Sequence, residues 1–428
     1  MNKEEIKKTL ILQREELKEI KKERLIEREF LSAVKKFRKT KLIKVITGVR
    51  RCGKSIFSLE LLEKEKFAYI NFDDERLSEI SIRDTGNIME LLHEIYGNFK
   101  YLFFDEIQNI KGWELFVNRL QRQGYNIIIT GSNGKLLSKE LATHLTGRYI
   151  DIQVYPFSFR EFLKYKNLDI SEKDFYLPKK TGMIKKEFSK YLKTGGFPEF
   201  LKYKESRAYL TNLYNGIIGK DIVTRYNIKY SKTLKDIANY LISNCSKKIS
   251  YNKLKNLFDV KSVHTIKNYI SYIEEAYLVF QLFPFSYKTK VQLISPKKIY
   301  IIDSGMINSI SSVMFDNKTR LIENVVFLEL KRMQALNTGL EFYYWKDYQQ
   351  REVDFVVKEG LDVVQLIQVC HDVTNLETKE REVRSLVRAM KEFKLTKGLI
   401  ITDDFEGEEE MKGFKIEYVP MWKWLLLE

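Results

Sequence analysis

The sequence predicts an α/β fold that opens with a parallel sheet whose strands are separated by helices. One observation is that short apolar runs alternate with segments of helical periodicity along the first 155 residues. The other is a glycine-rich loop placed between the first apolar run and a helical segment. Strands that alternate with helices form parallel sheets. The expected strands are Leu42–Thr47, Phe67–Phe72, Tyr101–Phe104, Asn126–Thr130 and Tyr149–Tyr155.

The glycine-rich loop has the pattern of a phosphate-binding site. Residues 48–55 read Gly-Val-Arg-Arg-Cys-Gly-Lys-Ser, which matches G-x-x-x-x-G-K-[ST]. The backbone N–H groups of such a loop, which here includes Gly48 and Gly53, surround the phosphates together with the N-terminal end of the following helix. Lys54 reaches the β- and γ-phosphates, and the Ser55 hydroxyl ligates Mg²⁺. The sequence therefore predicts a site for a nucleoside triphosphate with Mg²⁺.

Two carboxylates follow the third predicted strand. Asp105 and Glu106 come directly after its apolar run, and ligands of parallel sheets bind at the carboxyl ends of the strands. We therefore expect Asp105 beside the phosphate loop, where it holds the Mg²⁺ shell. Glu106, one residue further, is placed to orient or deprotonate the attacking water.

Polar residues next to the last two strands are further candidates. The fourth strand ends in Thr-Gly-Ser-Asn, and Ser132 or Asn133 is expected to face the γ-phosphate, between the first strand and the acidic one. Arg148 precedes the fifth strand and has two interpretations. It neutralises charge in the transition state, in its own chain or across a subunit boundary, or it is a surface residue at a helix end.

Several motifs taken together resemble one protein family. They are Val45–Ser55, Asn71–Arg76, Phe104–Gln108, Thr130–Ser132, Gly147–Arg148, Tyr155–Phe159, Gly195–Glu199 and Tyr300–Gly305. This set resembles the AAA-like ATP-binding proteins of archaea and bacteria that carry a C-terminal domain of unknown function. The resemblance implies binding and hydrolysis of ATP, and a helical lid after the nucleotide domain. The site residues that it implies are Lys54, Ser55, Asp105 and Glu106 as Walker residues, Ser132 as first sensor and Arg148 as arginine finger.

Composition limits the class of protein. At 428 residues with 44% apolar residues, the chain is expected to fold as two or three domains. The net charge of +16 favours nucleic acid or an anionic membrane face as partner, although a lysine-rich proteome would produce the same excess. Three widely spaced cysteines and four histidines without metal-ligand spacing argue against disulfides and structural zinc. No apolar run reaches eighteen residues, so we expect a cytoplasmic protein without a membrane span.

Much of the positive charge lies in one segment. Residues 229–298 contain thirteen lysines and four acidic residues, a net charge of +9. Three helical patterns, over Leu234–Asn244, Tyr251–Phe258 and Ser262–Ala276, precede a strand-like stretch, as in a winged-helix module, whose recognition helix enters the major groove of DNA. The residues expected at a DNA surface are Lys247, Lys248, Lys261, His264, Thr265, Lys267, Asn268, Ser271, Lys288 and Lys290. A protein-contact module with a solvated lysine face is the alternative.

The family resemblance implies that the C-terminal third is an α/β domain with a restriction-nuclease-like fold. Its expected elements are a helix over Glu323–Leu330 and strands over Phe342–Trp345, Val353–Val357 and Val363–Val369. Asp354 lies inside an apolar strand, where this fold places a metal ligand. The next strand carries Gln368 and Cys370 in place of an acid and a lysine. Gln is a poor Mg²⁺ ligand and Cys cannot replace the lysine, so the domain is expected to be degenerate.

These observations define four expected domains and one expected function. The domains are an N-terminal helix with the ATPase core (1–155), the helical lid (156–228), the basic module (229–298) and the nuclease-like domain (299–428). The function is Mg²⁺-dependent ATP hydrolysis coupled to a conformational change in a DNA-associated protein. Two alternatives stay open: a slow ATP-dependent sensor switch that binds a protein partner, and a metal-dependent nuclease. A homo-oligomer is compatible with the sequence.

Overall fold

The structure of the chain, a computed structural model, describes residues 1–23, 25–132, 147–203, 207–311 and 318–427. These residues form two compact units, Met1–Tyr155 and Pro156–Glu428. Within the described ranges, no helix combines the length and apolar character needed to cross a membrane.

The first unit is built on a five-stranded sheet in which all neighbouring strands are parallel. Its strands are β1 (Ile43–Thr47), β2 (Phe67–Asn71), β3 (Tyr101–Asp105), β4 (Asn126–Gly131) and β5 (Tyr149–Gln153). Their order across the sheet is β2-β3-β4-β1-β5. The predicted parallel sheet is confirmed, with strand ends shifted by one or two residues. Because all strands run the same way, the residues that follow β1, β3 and β4 meet at one edge.

Helices and buried side chains support this sheet. The helices are α1 (Lys3–Lys22), α2 (Leu31–Lys35), α3 (Lys54–Leu61), α4 (Thr85–Tyr96) and α5 (Trp113–Arg122). Every residue of β1, β3 and β4 is buried, which agrees with their near-continuous apolar sequences. The expected N-terminal helix is α1, whose Ile6, Leu10 and Leu17 are buried.

The second unit begins with helices over the candidate lid segment. They are α6 (Phe159–Tyr165), α7 (Pro178–Thr194), α8 (Pro198–Lys202) and α9 (Arg207–Gly216), followed by a π-helical stretch over Ile217–Thr224. The basic segment follows with helices α10 (Ser231–Ser243), α11 (Tyr251–Leu257), α12 (Val263–Glu275) and α13 (Thr289–Ile294) and strands β6 (Lys248–Ile249), β7 (Val279–Leu282) and β8 (Lys297–Ile301). The three strands form an antiparallel sheet in the order β6-β8-β7. Ser262 caps α12, because its side chain accepts a hydrogen bond from the N–H of His264.

The C-terminal part forms a six-stranded mixed sheet in the order β13-β14-β12-β11-β10-β9. Its strands are β9 (Leu340–Lys346), β10 (Glu352–Glu359), β11 (Asp362–Val369), β12 (Lys397–Thr402), β13 (Gly407–Met411) and β14 (Phe414–Pro420). The helices around it are α14 (Ser304–Ile310), α15 (Lys318–Leu336), α16 (Leu376–Phe393) and α17 (Met421–Leu427). The expected additional α/β sheet domain is therefore present, with its predicted strands within β9, β10 and β11.

Three of the motifs that carry the family resemblance meet in the second unit. The Asp303 carboxylate caps α14 by accepting from the N–H of Met306 (3.0 Å), and it also accepts from the N–H of Gly196 (2.7 Å). The Gly196 carbonyl in turn accepts from the N–H of Phe157 (2.8 Å). A side chain at Gly305 would place its Cβ 2.0 Å from the carbonyl oxygen of Thr194. Glycine is required here because two backbones approach each other closely.

Alanine substitutions at two helical glycines, Gly305 and Gly182, should change thermal stability in opposite directions. Gly305→Ala should lower the apparent melting temperature, because the new methyl group collides with backbone and overpacking costs about 1–3 kcal/mol. Gly182→Ala, in α7, should raise it slightly, since nothing lies within 4 Å of the added Cβ and alanine favours a helix by up to about 1 kcal/mol. Thermal unfolding of both variants beside the wild type checks this; equal shifts would contradict the packing.

Candidate nucleotide-binding site

The phosphate loop joins β1 to α3 in a conformation that glycine makes possible. Gly48 has a φ of 144° and Gly53 a φ of 98°, and both values lie in the region that favours glycine. A Cβ on Gly48 would lie 2.2 Å from the carbonyl oxygen of Val154. Gly53 immediately precedes the first residue of α3, so the free N–H groups of that helix open toward the loop.

The Lys54 side chain lies inside this loop. Its Nζ donates hydrogen bonds to the carbonyl oxygens of Gly48 and Val49, both at 3.2 Å. The same Nζ lies 3.7 Å from Oε1 of Glu106, and the lysine is buried. Lys54 is therefore a buried cation held by weak, long contacts, which a phosphate oxygen can replace with shorter ones.

The Asp105 carboxylate lies at the end of β3, next to the loop. The hydroxyls of Ser55 and Thr130 donate to it, and the Tyr69 hydroxyl donates more weakly at 3.5 Å. Burial, together with the charge of Glu106, raises the pKa of Asp105 to about 6, although the hydrogen bonds from Thr130 and Ser55 act in the opposite direction. A cation at this carboxylate would stabilise its charged form. Ser55 and Asp105, the two expected magnesium ligands, are thus neighbours.

Glu106 follows in a left-handed backbone conformation with a φ of 50°. Its N–H donates to the hydroxyl of Thr130 at 3.0 Å, and its carboxylate accepts from the side-chain amide of Gln108. Sequence reasoning did not single out Thr130 or Gln108 as site residues. Both lie within motifs that it quoted, at the end of β4 and after β3.

The hydroxyl of Ser132 indicates whether the site suits a bound ligand. Its side chain is buried, and among the described residues its Oγ finds no hydrogen-bond partner. The Oε1 atom of Gln108 is likewise buried without a partner there. Buried polar atoms are almost always satisfied, so these two fit a site completed by a polar ligand and water. Asn133, the other sensor candidate, lies outside the described residues.

Arg148 is found at the opposite edge of the sheet. Its carbonyl oxygen accepts from the N–H of Ile43, the first residue of β1, whereas the phosphate loop follows the last. The five residues of β1 span about 16 Å, which is longer than an arginine side chain. This distance argues against action of Arg148 on the nucleotide of its own chain. It is exposed, so action across a subunit boundary stays a prediction.

A buried arginine that sequence reasoning missed supports the loop from outside. The Arg28 guanidinium donates to the carbonyl of Cys52 (3.1 Å) and to the carbonyl of Tyr155. The Cys52 thiol is fully buried and donates to the carbonyl of Val154 at 3.2 Å. Burial raises the pKa of this thiol, so it is a packed, unreactive group. Arg28 stands in a stretch rich in Lys, Glu and Arg, where nothing local distinguishes it from solvated charges.

The candidate DNA-binding residues of the basic module differ in their exposure to solvent. His264 and Lys267 are exposed on α12, Thr265, Asn268 and Ser271 are half-buried there, and Lys247, Lys261, Lys288 and Lys290 are exposed. Lys248 differs from expectation, because its ammonium group forms an ion pair with Glu352. It is held by a carboxylate and is less available for a phosphate.

The carboxylate of Asp354, the expected metal ligand, is already paired with a cation of the protein itself. The Lys298 ammonium group lies 2.6 Å from Asp354, 3.0 Å from Glu323 and 2.9 Å from Glu352. Burial alone would lower the pKa of Lys298, but the charges of Asp354 and Glu323 hold it well above its ordinary value. Asp354 also accepts from the N–H of Val369. Within the described ranges, no group of acidic, His or Cys side chains is arranged to hold a metal ion, so a nuclease metal does not fit here.

Comparison with known proteins agrees with this geometry. A family model described as an AAA domain matches residues 40–163, and models of two domains of unknown function match residues 185–317 and 318–424. An uncharacterized protein of Methanocaldococcus jannaschii is 41% identical over 401 residues, covering 90% of this chain and 88% of its own. The chain belongs to the AAA-like ATP-binding proteins.

Two further comparisons extend the description of this AAA-like protein. An uncharacterized protein of Haemophilus influenzae is 30% identical over 406 residues, covering 90% of this chain and 95% of its own. Among solved structures, a Walker-type ATPase of Pyrococcus abyssi is similar to 67% of this chain and 96% of its own, with 16% identity and a TM-score of 0.44. The AAA domain and the five-stranded parallel sheet together support ATP binding in general.

Proposed function

We propose that this AAA-like protein hydrolyses ATP with Mg²⁺ and couples the hydrolysis to contact with DNA. One observation carries the first part: Lys54, Ser55, Asp105, Glu106 and Ser132 converge at one edge of the sheet. They come from the ends of β1, β3 and β4. Two buried polar atoms at this edge, Oγ of Ser132 and Oε1 of Gln108, have no hydrogen-bond partner among the described residues.

Each of these side chains has a distinct role in the proposal. Lys54 moves from the loop carbonyls to the β- and γ-phosphates, where its charge is better satisfied. Ser55 and Asp105 hold Mg²⁺, which when bound neutralises developing phosphate charge. Glu106 accepts the proton of the attacking water or orients it, and Gln108 restrains its carboxylate. Ser132 donates to the γ-phosphate or to that water.

The basic segment supports the DNA part of the proposal. Helices α10, α11 and α12 of this segment, together with the antiparallel sheet β6-β8-β7, are compatible with the proposed winged-helix module. The capped N-terminal end of α12 exposes His264 and Lys267, which is where a recognition helix contacts base edges. The surrounding exposed lysines suit phosphate contacts, whose strength falls with salt.

ATP turnover with and without duplex DNA tests the proposal. We expect turnover to rise when duplex is added and the rise to disappear in 0.5 M NaCl. Lys267→Ala should weaken the stimulation, whereas Lys186→Ala, which removes an exposed lysine of α7, should not.

The other candidate functions predict different outcomes of the same experiment. Slow turnover that ignores DNA would favour a sensor switch that binds a protein. Nicking of plasmid with Mn²⁺ would favour a nuclease, which the Lys298 ion network does not support.

A further inference from the structure

An exposed apolar tip extends from the basic module between β7 and β8. We call residues 287–294 the wing tip. Leu293 and Ile294 are 61% and 73% exposed, and Tyr287 and Val291 are also exposed. Lys288 and Lys290 are exposed between them, and no acidic residue occurs from residue 276 to residue 302. Contiguous exposed apolar side chains in a soluble protein mark a binding surface.

The wing tip is connected to the exposed face of α12 through one aromatic ring. The ammonium group of Lys297, at the base of the wing, donates to the carbonyl of Leu293 and lies 4.9 Å from the ring centre of Tyr251. The ammonium group of Lys267, on α12, lies 5.6 Å from the centre of the same ring. Because Lys297 is buried, this contact places α12 and the wing tip next to each other, and the positive charge at the surface comes from Lys267 on α12 and from Lys288 and Lys290 on the wing tip.

The chemistry of this surface decides which partner it fits. A lone protein partner with an apolar groove would not require the lysines between the apolar side chains. A bilayer would require a longer amphipathic helix than the six residues of α13. Duplex DNA fits both features, because proteins that bind the minor groove insert apolar side chains between base steps and pair flanking lysines with phosphates.

We propose that the wing tip inserts Leu293 and Ile294 into the minor groove of duplex DNA and bends it, while Lys288 and Lys290 contact the phosphates on either side. This inference rests on the proposed DNA contact and adds its mode. Insertion partly unstacks a base step, so the duplex is expected to kink by about 20–90°. A kinked duplex can follow the wing back to α12, so both parts of the surface contact it together.

Bending of a 30-base-pair duplex labelled with donor and acceptor dyes at its two ends tests this directly. The wild-type full-length chain should raise energy transfer on binding. The double variant Leu293→Ser/Ile294→Ser should bind with the same salt dependence but give no rise. Leu361→Ser, which removes a 93% exposed leucine far along the chain, is the matched control and should bend DNA as the wild type does.

The salt dependence of DNA binding tests the two lysines of the wing tip separately. Lys288→Ala/Lys290→Ala should reduce the slope of log affinity against log salt by about 1.8, or 0.9 for each phosphate contact.

Bending by the serine variant equal to that of the wild type would overturn the insertion while leaving DNA contact intact. Absence of any duplex binding by the wild type would overturn both the insertion and the DNA part of the proposed function. Binding to anionic phosphatidylserine vesicles that the serine variant loses, with DNA bending unaffected, would assign the wing tip to lipid.

Discussion

Replacing Glu106 with Gln should lower ATP turnover by about 10²–10³-fold and leave ATP binding nearly unchanged. Gln has the same size and can keep the contact with Gln108, but it cannot accept a proton from water, and general-base catalysis contributes about 10²–10⁴-fold. Loss of its charge also removes the carboxylate 3.7 Å from the Lys54 ammonium group, so phosphate meets less competition there. Steady-state turnover and calorimetric ATP affinity, measured on the same preparation, separate the two effects.

The control for this variant is another carboxylate of the same unit. Glu79 is exposed, and Glu79→Gln should hydrolyse ATP at the wild-type rate. Lys54→Ala should abolish the calorimetric signal, since it removes the buried cation of the loop. A Glu106→Gln protein with wild-type turnover would show that another group activates the water.

Replacing Lys298 with Met should produce the largest loss of stability. The variant leaves Glu323 and Asp354 buried and Glu352 half-buried around an apolar side chain. Breaking a buried ion pair from one side costs about 3–5 kcal/mol. The apparent melting temperature should fall by roughly 10 °C. Lys297→Met is the matched control, because Lys297 is equally buried but lies over the rings of Tyr251 and Phe283, so its loss should cost much less.

The pH dependence of the Lys298→Met variant follows from the carboxylates left behind. Burial raises the pKa of Glu323 to about 7 even with Lys298 present. An acid whose pKa is raised in the folded state binds protons more tightly there than when unfolded, so folding is favoured as pH falls. The stability deficit of the variant should therefore shrink between pH 8 and pH 6. Lys298→Met/Asp354→Asn should recover part of the loss at pH 8, and a deficit independent of pH would contradict the network.

The parts of the site that are contiguous in sequence were predictable. A phosphate loop works through its own backbone, so residues 48–55 with a strand before and a helix after are sufficient to indicate it. Asp105 was predictable for a related reason, because parallel strands bring their carboxyl ends to one edge. The catalytic roles of these residues stay predictions, which the Glu106 and Lys54 variants test.

The neighbours across the sheet were not predictable from local pattern. Thr130 meets Asp105 only because β4 lies beside β3, and Arg28 reaches the carbonyls of Cys52 and Tyr155 across 24 and 127 residues. One of the two interpretations of Arg148 placed it near a nucleotide, in its own chain or across a subunit boundary. Its place at the start of that strand, and therefore at the far edge, follows from strand direction and register.

The sequence by itself determined the nucleotide loop, the acidic strand end and the parallel sheet, because each depends on residues adjacent along the chain or on a simple period. Only the tertiary structure decided that the Lys298 ammonium group pairs with Asp354 and that Lys248 pairs with Glu352. It also decided that Arg148 lies far from the phosphate loop of its own chain. Those outcomes depend on charges brought together from separate elements. Burial strengthens such pairings, and no local pattern records which partner a charge will meet.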